Sequence, residues 1–90
     1  MLVAVMPAFN EEGNVSKTAL LAGKFVDKVI VVDDGSGDAT FKEAEKANAI
    51  VLRNAINMGK GVALKVGINA ALKLGASEII TIDSDLQHNP

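Results

Sequence analysis

The sequence predicts an α/β domain built on a parallel sheet, in a doubly wound βαβαβαβ arrangement. Four short apolar runs are continuous rather than alternating, which indicates strands buried on both faces. Longer segments with helical periodicity lie between the runs, and the connections are short. Alternating strands and helices favour a parallel sheet with right-handed crossovers, and we expect the strand order 3-2-1-4.

Each predicted strand ends at a turn signal. The apolar runs cover residues 2–6, 28–32, 49–52 and 78–82. Pro7 stops the first run, Asp33-Asp34-Gly35 the second, Arg53-Asn54 the third and Asp83 the fourth. These polar ends give the sheet one edge that is rich in side chains able to bind a ligand.

Three helices are predicted between the strands. The first runs from about residue 15 to 22, with Asn14 as its N-cap. Asp38 is suited to cap the second helix and Asn48 to end it in the left-handed conformation. The third covers about residues 61–74, and its mostly apolar character predicts a nearly buried helix with a single wet edge.

Length and composition bound the class of protein. The 90 residues fit one domain, and 49% hydrophobic with 22% charged residues exclude a disordered chain. The absence of cysteine excludes a disulfide scaffold, a thiolate zinc site and a cysteine nucleophile. A net charge of −2 and only three aromatic residues argue against a nucleic-acid surface. No apolar run approaches the ~20 residues of a membrane helix, and no signal peptide is recognisable. We therefore expect a cytoplasmic domain without membrane contact by this segment.

Polar residues concentrate just after the carboxyl ends of the strands. In open α/β sheets ligands bind there, at the point where the strand order reverses. With the order 3-2-1-4, that crevice lies between strands 1 and 4, flanked by residues 7–11 and 83–85. Asp33 is expected one strand away.

Asp83-Ser84-Asp85 follows the last strand and is suited to a hard cation. Two carboxylates two residues apart can bind Mg²⁺ or Mn²⁺, which complete their shells with water and phosphate oxygens. Gln87 offers a third oxygen donor. The alternative is an Asx-turn with a helix cap, but the position at the crevice favours the metal.

The other strand ends leave alternatives open. Asp33 can accept hydrogen bonds from a nucleobase or ribose, or can belong to a simple glycine turn. Lys60 can contact a phosphate or remain solvated, and its surroundings lack the glycine and hydroxyl of a Walker A motif. Phe9 can pack against a base or belong to the core. Without a G-x-G-x-x-G pattern, a dinucleotide cofactor is disfavoured.

Four motifs in this order resemble family 2 glycosyltransferases of the Rossmann-like GT-A fold. The chain looks most similar to dolichyl-phosphate mannose synthases, dolichyl-phosphate glucosyltransferases and related polyprenyl-phosphate sugar transferases. The motifs lie at residues 6–12, 31–40, 57–61 and 83–90. The resemblance covers the whole chain, and four ordered motifs make it specific where each alone would be weak.

The resemblance implies roles for individual residues. It implies a nucleoside pocket lined by Pro7, Phe9, Glu11 and Asp33. Phe9 stands where tyrosine is more usual. It further implies a DXD motif of Asp83 and Asp85 that binds Mg²⁺ or Mn²⁺, with Gln87 joining the metal shell and Ser84 near the ribose or diphosphate. Lys60 is counted among the nucleotide-binding residues.

The resemblance also implies an activity. The chain would be the donor-binding part, residues 1–90, of an inverting metal-dependent enzyme that transfers a hexose from a UDP- or GDP-sugar, with a polyprenyl phosphate as one possible acceptor. The general base is expected beyond Pro90, so the fragment alone should be inactive, and the longer protein could act at the cytoplasmic face of a membrane.

Two rival functions and one assembly prediction accompany this interpretation. A receiver domain would use Asp83 as phosphoacceptor, although a receiver opens directly with its acidic strand end. A purely structural or engineered half-domain would bind nothing. An unpaired sheet edge is a template for another chain, so a homo-oligomer is expected.

Overall fold

The computed structural model describes residues 1–83 and consists of four strands that alternate with three helices. The elements are β1 (Leu2–Ala8), α1 (Val15–Ala22), β2 (Lys28–Asp34), α2 (Thr40–Lys46), β3 (Ile50–Asn54), α3 (Lys60–Lys73) and β4 (Glu78–Thr81). The predicted βαβαβαβ alternation is confirmed. Within this described part, no helix combines the length and the apolar character that crossing a bilayer requires.

All neighbouring strands are parallel, in the order β3-β2-β1-β4, which confirms the predicted topology. The register places Ala8 beside Asp33 and Asp34 beside Asn54. The loops that follow β1, β2 and β3 therefore emerge side by side. Over residues 1–83, β3 and β4 form the sheet edges, and the association of copies through such an edge stays a prediction.

The first strand continues past Pro7, where the sequence predicted its end. The carbonyl of Val5 accepts a hydrogen bond from the N–H of Ile82 at 3.0 Å, so Val5 faces β4. Pro7 lies two residues further on and faces the same side, beyond the last residue that pairs with β4. Its missing N–H therefore ends the pairing with β4 without interrupting the pairing with β2.

Alternation along the two central strands creates a core on each face of the sheet. One core packs against α1 and α2 and contains Met6, Val31, Val15, Ala19 and Ala44. The other packs against α3 and contains Val3, Val5, Ile30, Val32, Ala63 and Ala71. Successive residues of β2 therefore point to opposite layers, and the side chains of Asp33 and Asp34 lie on opposite faces of the sheet.

Helix α3 packs on the sheet through a narrow stripe of small residues. A Cβ at Gly67 would lie only 2.3 Å from Cγ1 of Val5, so the glycine allows the close approach. Ala63, Gly67 and Ala71 are the buried residues of the helix, whereas Leu72 is 58% exposed. The expectation of a nearly buried helix is wrong, because the sheet covers only the face with the small residues.

The helix termini follow the sequence signals only in part. Asn14 precedes α1 as predicted but makes no side-chain cap. Its side-chain amide nitrogen donates a hydrogen bond to Glu11 Oε1 at 3.3 Å. Asp38 Oδ1 accepts the N–H of Thr40, the first residue of α2, at 2.9 Å. Asn48 has φ +62° and ends that helix region in the expected left-handed conformation.

Candidate functional site

A cleft of about 370 Å³ opens at the carboxyl ends of the central strands, beside the start of α3. The loops after β1 and β2 and the residues around the start of α3 contribute to its lining. Side chains able to bind a ligand here include Pro7, Phe9, Glu11, Asp34, Lys60 and Asp83. An aromatic ring, three carboxylates and one ammonium group thus meet at the edge where parallel strands bind ligands.

The structure brings together five of the site residues that the sequence suggested. Pro7, Phe9, Glu11, Lys60 and Asp83 all line the cleft. Asp33 is not among its lining residues. The predicted positions Ser84, Asp85 and Gln87 lie outside the described residues.

Asp33 is buried under the turn that follows β2. Its exposed fraction is 1%, and its Oδ1 accepts the N–H of Ser36 at 3.0 Å. Its Oδ2 lies 3.6 Å from Nε of Arg53, whose guanidinium also sits over the ring of Phe41. Strand alternation places this carboxylate on the side of α1 and α2, so within residues 1–83 it braces the turn rather than lining the cleft.

Asp34 faces the layer of α3 and holds the loop between β3 and α3. Its Oδ1 accepts hydrogen bonds from the side-chain amide of Asn54 at 2.8 Å and from the N–H of Met58 at 2.9 Å. Its Oδ2 accepts the N–H of Gly59 at 2.9 Å. Asp34 is therefore the anion at the start of α3, the place where the sequence suggested a bound phosphate.

The pKa of Asp34 reflects two opposing effects. Burial alone would raise the pKa, because it disfavours the charged form. The hydrogen bonds from Asn54, Met58 and Gly59 stabilise the carboxylate and outweigh burial, which leaves the pKa below its ordinary value. Asp34 is thus ionised at neutral pH and fastens the cleft wall.

Gly35 lets the turn after β2 lie directly against the same loop. Its φ is +74°, and a Cβ there would fall 2.4 Å from the carbonyl carbon of Ile56 and 2.5 Å from the nitrogen of Asn57. Both atoms belong to the backbone and cannot swing aside. One wall of the cleft therefore consists of two segments in contact, which a side chain at residue 35 would separate.

Reciprocal hydrogen bonds fasten the loop after β1 to the turn after β2. The N–H of Asn10 donates to Ser36 Oγ, and the N–H of Gly37 donates back to Asn10 Oδ1, both at 2.9 Å. The N–H of Glu11 donates to Thr40 Oγ1 at 2.9 Å. These bonds hold Asn10 at φ +52° and set the position of the neighbouring ring and carboxylate.

Phe9 presents its ring to solvent rather than to the core. The residue is 45% exposed, although it follows directly after a strand whose Ala8 is buried. Of the two alternatives left by the sequence, the structure therefore excludes the simple core residue. An exposed ring on a braced loop offers a flat apolar surface for stacking.

Lys60 makes an ion pair across the mouth of the cleft. Its Nζ lies 2.7 Å from Oδ1 of Asp83, and the two side chains are 63% and 66% exposed. Lys60 is the first residue of α3 and Asp83 follows β4, so the pair joins two elements. Within residues 1–83, no three Asp, Glu or His side chains are grouped closely enough to hold a metal ion.

The second aspartate of the pair 33–34 is the site residue that sequence reasoning did not single out. The sequence does indicate the face on which Asp34 lies, because Asp34 is in phase with Ile30 and Val32, which pack under α3. The alternation alone does not tell which face of the sheet carries the cleft. That assignment required the position of α3.

Comparisons with known proteins agree with this arrangement. The family model described as "Glycosyl transferase family 2" matches residues 3–90. An uncharacterized protein of Methanocaldococcus jannaschii is 43% identical over 90 residues, which cover 99% of this chain and 37% of that protein. A UDP-N-acetylglucosamine–dolichyl-phosphate N-acetylglucosaminyltransferase of Methanococcus voltae is 32% identical over 108 residues, which cover 100% of this chain and 43% of the enzyme.

A solved structure shows the same fold. Glucosyl-3-phosphoglycerate synthase from Mycobacterium tuberculosis, in complex with Mn²⁺, UDP and glucosyl-3-phosphoglycerate, superposes with a TM-score of 0.75 at 31% identity. The match covers 97% of this chain and 34% of that enzyme. The chain thus spans less than half the length of each of these similar proteins.

Proposed function

This chain belongs to glycosyltransferase family 2, and from that premise we propose that it is the donor-binding part of an inverting, metal-dependent enzyme that transfers a hexose from a nucleotide sugar. The observation that carries the proposal is the cleft, where the Phe9 ring and three carboxylates converge beside Lys60. Family membership also removes the basis for a receiver domain.

The nucleoside end of the donor lies against the loop after β1. Phe9 stacks on the base, since its exposed ring is fixed by the hydrogen bonds of its loop. We assign to Asp34, rather than Asp33, the acceptor for a base N–H. Asp34 lines the cleft, and its three protein hydrogen bonds leave one of the roughly four acceptor positions of a carboxylate open. UDP is the favoured nucleotide, because the solved relative was crystallised with it.

The diphosphate end lies near Asp83 and Lys60. Asp83, Asp85 and Gln87 would hold Mg²⁺ or Mn²⁺, which would offset the charge of the diphosphate and stabilise the leaving nucleotide. Asp83 fits this role, since its carboxylate lines the cleft and already holds one cation, the Lys60 ammonium at 2.7 Å. Ser84 would contact the ribose or diphosphate. Solved relatives holding Mn²⁺ or Mg²⁺ with UDP support the choice of ions.

We place the acceptor site and the general base in the part of the relatives' length that residues 1–90 do not span. A polyprenyl phosphate is the proposed acceptor, supported by the name of the Methanococcus voltae relative, and the cytoplasmic face of a membrane is the proposed place of transfer. Residues 1–90 should therefore bind donor nucleotide without transferring sugar.

Calorimetric titration of the purified chain with UDP and with GDP, each with and without Mn²⁺, tests the proposal. We expect UDP to bind more tightly in the presence of Mn²⁺ than in its absence. Phe9→Ala should weaken binding by roughly 5- to 150-fold, the effect of losing a stacked base worth about 1–3 kcal/mol. Phe25→Ala is the matched control, because Phe25 is 76% exposed and follows α1, before β2 begins. If neither nucleotide gives a heat of binding, the proposed donor site is wrong. If the 90-residue chain transfers sugar, the proposal that the general base lies outside residues 1–90 is wrong.

A further inference from the structure

The ion pair between Lys60 and Asp83 stands where the proposed metal would bind. The ammonium donates to Asp83 Oδ1 at 2.7 Å, a distance typical of a charge-assisted hydrogen bond. Both residues line the cleft. A cation is thus already present on a carboxylate that the donor site assigns to Mg²⁺ or Mn²⁺.

The stability of the fold does not explain this pair. Its side chains are 63% and 66% exposed, and exposed ion pairs contribute little because water solvates both charges. The bond to Asp83 by itself therefore holds the ammonium only weakly. A lysine chain has four carbons and reaches new partners without moving the helix that carries it.

The position of Lys60 also runs against the preference of its own helix. Lys60 is the first residue of α3, where the positive end of the helix dipole disfavours a cation. Asp34 offsets part of that field through the N–H groups of Met58 and Gly59. Helix formation therefore does not favour a positive side chain at this point.

We propose that Lys60 is a built-in substitute for the divalent cation at Asp83, which the metal displaces when the nucleotide sugar arrives. The released ammonium then turns to the diphosphate. This inference rests on the proposed donor site and deepens it. In the empty cleft the lysine neutralises Asp83 and competes with free metal, whereas in the loaded cleft it adds a positive charge to the donor.

The consequence is coupling between metal and donor. Free metal binds weakly because it must displace the ammonium, and nucleotide strengthens metal binding because it gives the displaced ammonium a new partner. By linkage, metal strengthens nucleotide binding by the same factor.

Mn²⁺ binding to the 90-residue chain, measured by electron paramagnetic resonance with and without UDP, tests this exchange. Lys60→Gln should bind free Mn²⁺ roughly two- to five-fold more tightly, the range expected when one exposed ion-pair competitor is removed. It should bind UDP less tightly than the wild type when Mn²⁺ is present. The ratio of Mn²⁺ affinities with and without UDP should therefore fall.

Matched variants separate the exchange from a general effect of charge. Lys65→Gln removes the same charge from an exposed position five residues further along α3 and should change neither affinity. Lys60→Arg keeps the positive charge and should keep free Mn²⁺ binding weak. In an Asp83→Asn background, Lys60→Gln should no longer tighten Mn²⁺ binding, since the competed carboxylate is gone.

The outcomes distinguish this inference from the donor site itself. If the wild type binds UDP with Mn²⁺ but Lys60→Gln binds free Mn²⁺ no more tightly than Lys65→Gln, the exchange is overturned and the donor site stands. If the wild type binds neither Mn²⁺ nor UDP, both proposals fail.

Discussion

Replacing Gly35 by alanine tests whether the turn after β2 supports the wall of the cleft. At φ +74°, an L-residue costs about 1–2 kcal/mol relative to glycine. The added Cβ would also lie 2.4 Å from the carbonyl carbon of Ile56, far inside van der Waals contact. Because the opposing atoms are backbone, the loop that follows β3 must move.

That movement would break the hydrogen bonds that Asp34 accepts. Met58 and Gly59 donate their N–H groups to this carboxylate at 2.9 Å each, and they directly follow the displaced residues. A hydrogen bond to a charged group contributes about 1.5–3 kcal/mol. Losing one of them brings the total cost of Gly35→Ala to about 2.5–5 kcal/mol, a large share of the 5–15 kcal/mol typical of a domain.

Urea unfolding followed by circular dichroism measures this cost. Gly37→Ala is the matched control, because Gly37 lies in the same turn and a Cβ there meets nothing within 4 Å. The control should stay within about 0.5 kcal/mol of the wild type. If Gly35→Ala unfolds within 1 kcal/mol of Gly37→Ala, on the order of an ordinary surface change, the contact between turn and loop does not support the cleft.

Three further perturbations probe the packing, the charge and the turn geometry. Gly67→Ala should lower the melting temperature, because overpacking against Val5 costs about 1–3 kcal/mol and outweighs the ~1 kcal/mol gain in helix propensity. Gly61→Ala should not lower the melting temperature, because a Cβ at Gly61 meets nothing within 4 Å. Equal melting temperatures for the two variants would refute the tight packing at Gly67. The lowered pKa of Asp34 means that its stabilisation is present above the ordinary pKa of 3.8 and is lost as the pH falls through the lower folded value. Asp34→Asn should therefore be less stable at neutral pH and lose less stability in acid, and parallel pH curves of the urea midpoint would argue against the assignment. Asn48→Ala should lower the free energy of unfolding by about 1 kcal/mol, because alanine is disfavoured at the φ of +62° that Asn48 adopts. Asn48→Gly should change it little, since glycine adopts this conformation readily. Identical urea midpoints for the two variants would contradict this reasoning.

The architecture and the neighbourhood of the site follow from local sequence patterns. Continuous apolar runs separated by helical segments were sufficient for the parallel order β3-β2-β1-β4, because burial on both faces leaves few other topologies. Polar residues after each strand located the cleft at the carboxyl edge, where Phe9, Glu11 and Lys60 indeed lie. Such features depend on local patterns, which a linear sequence carries in full.

The separate roles of neighbouring side chains depend on three-dimensional packing. Asp33 and Asp34 are chemically identical, and their roles separate because adjacent strand residues point to opposite layers and α3 occupies just one of them. The exposure of α3 and the partner of Lys60 were likewise decided by what the sheet covers and by what folds beside it. These outcomes depend on distances between residues remote in sequence, which no periodicity encodes.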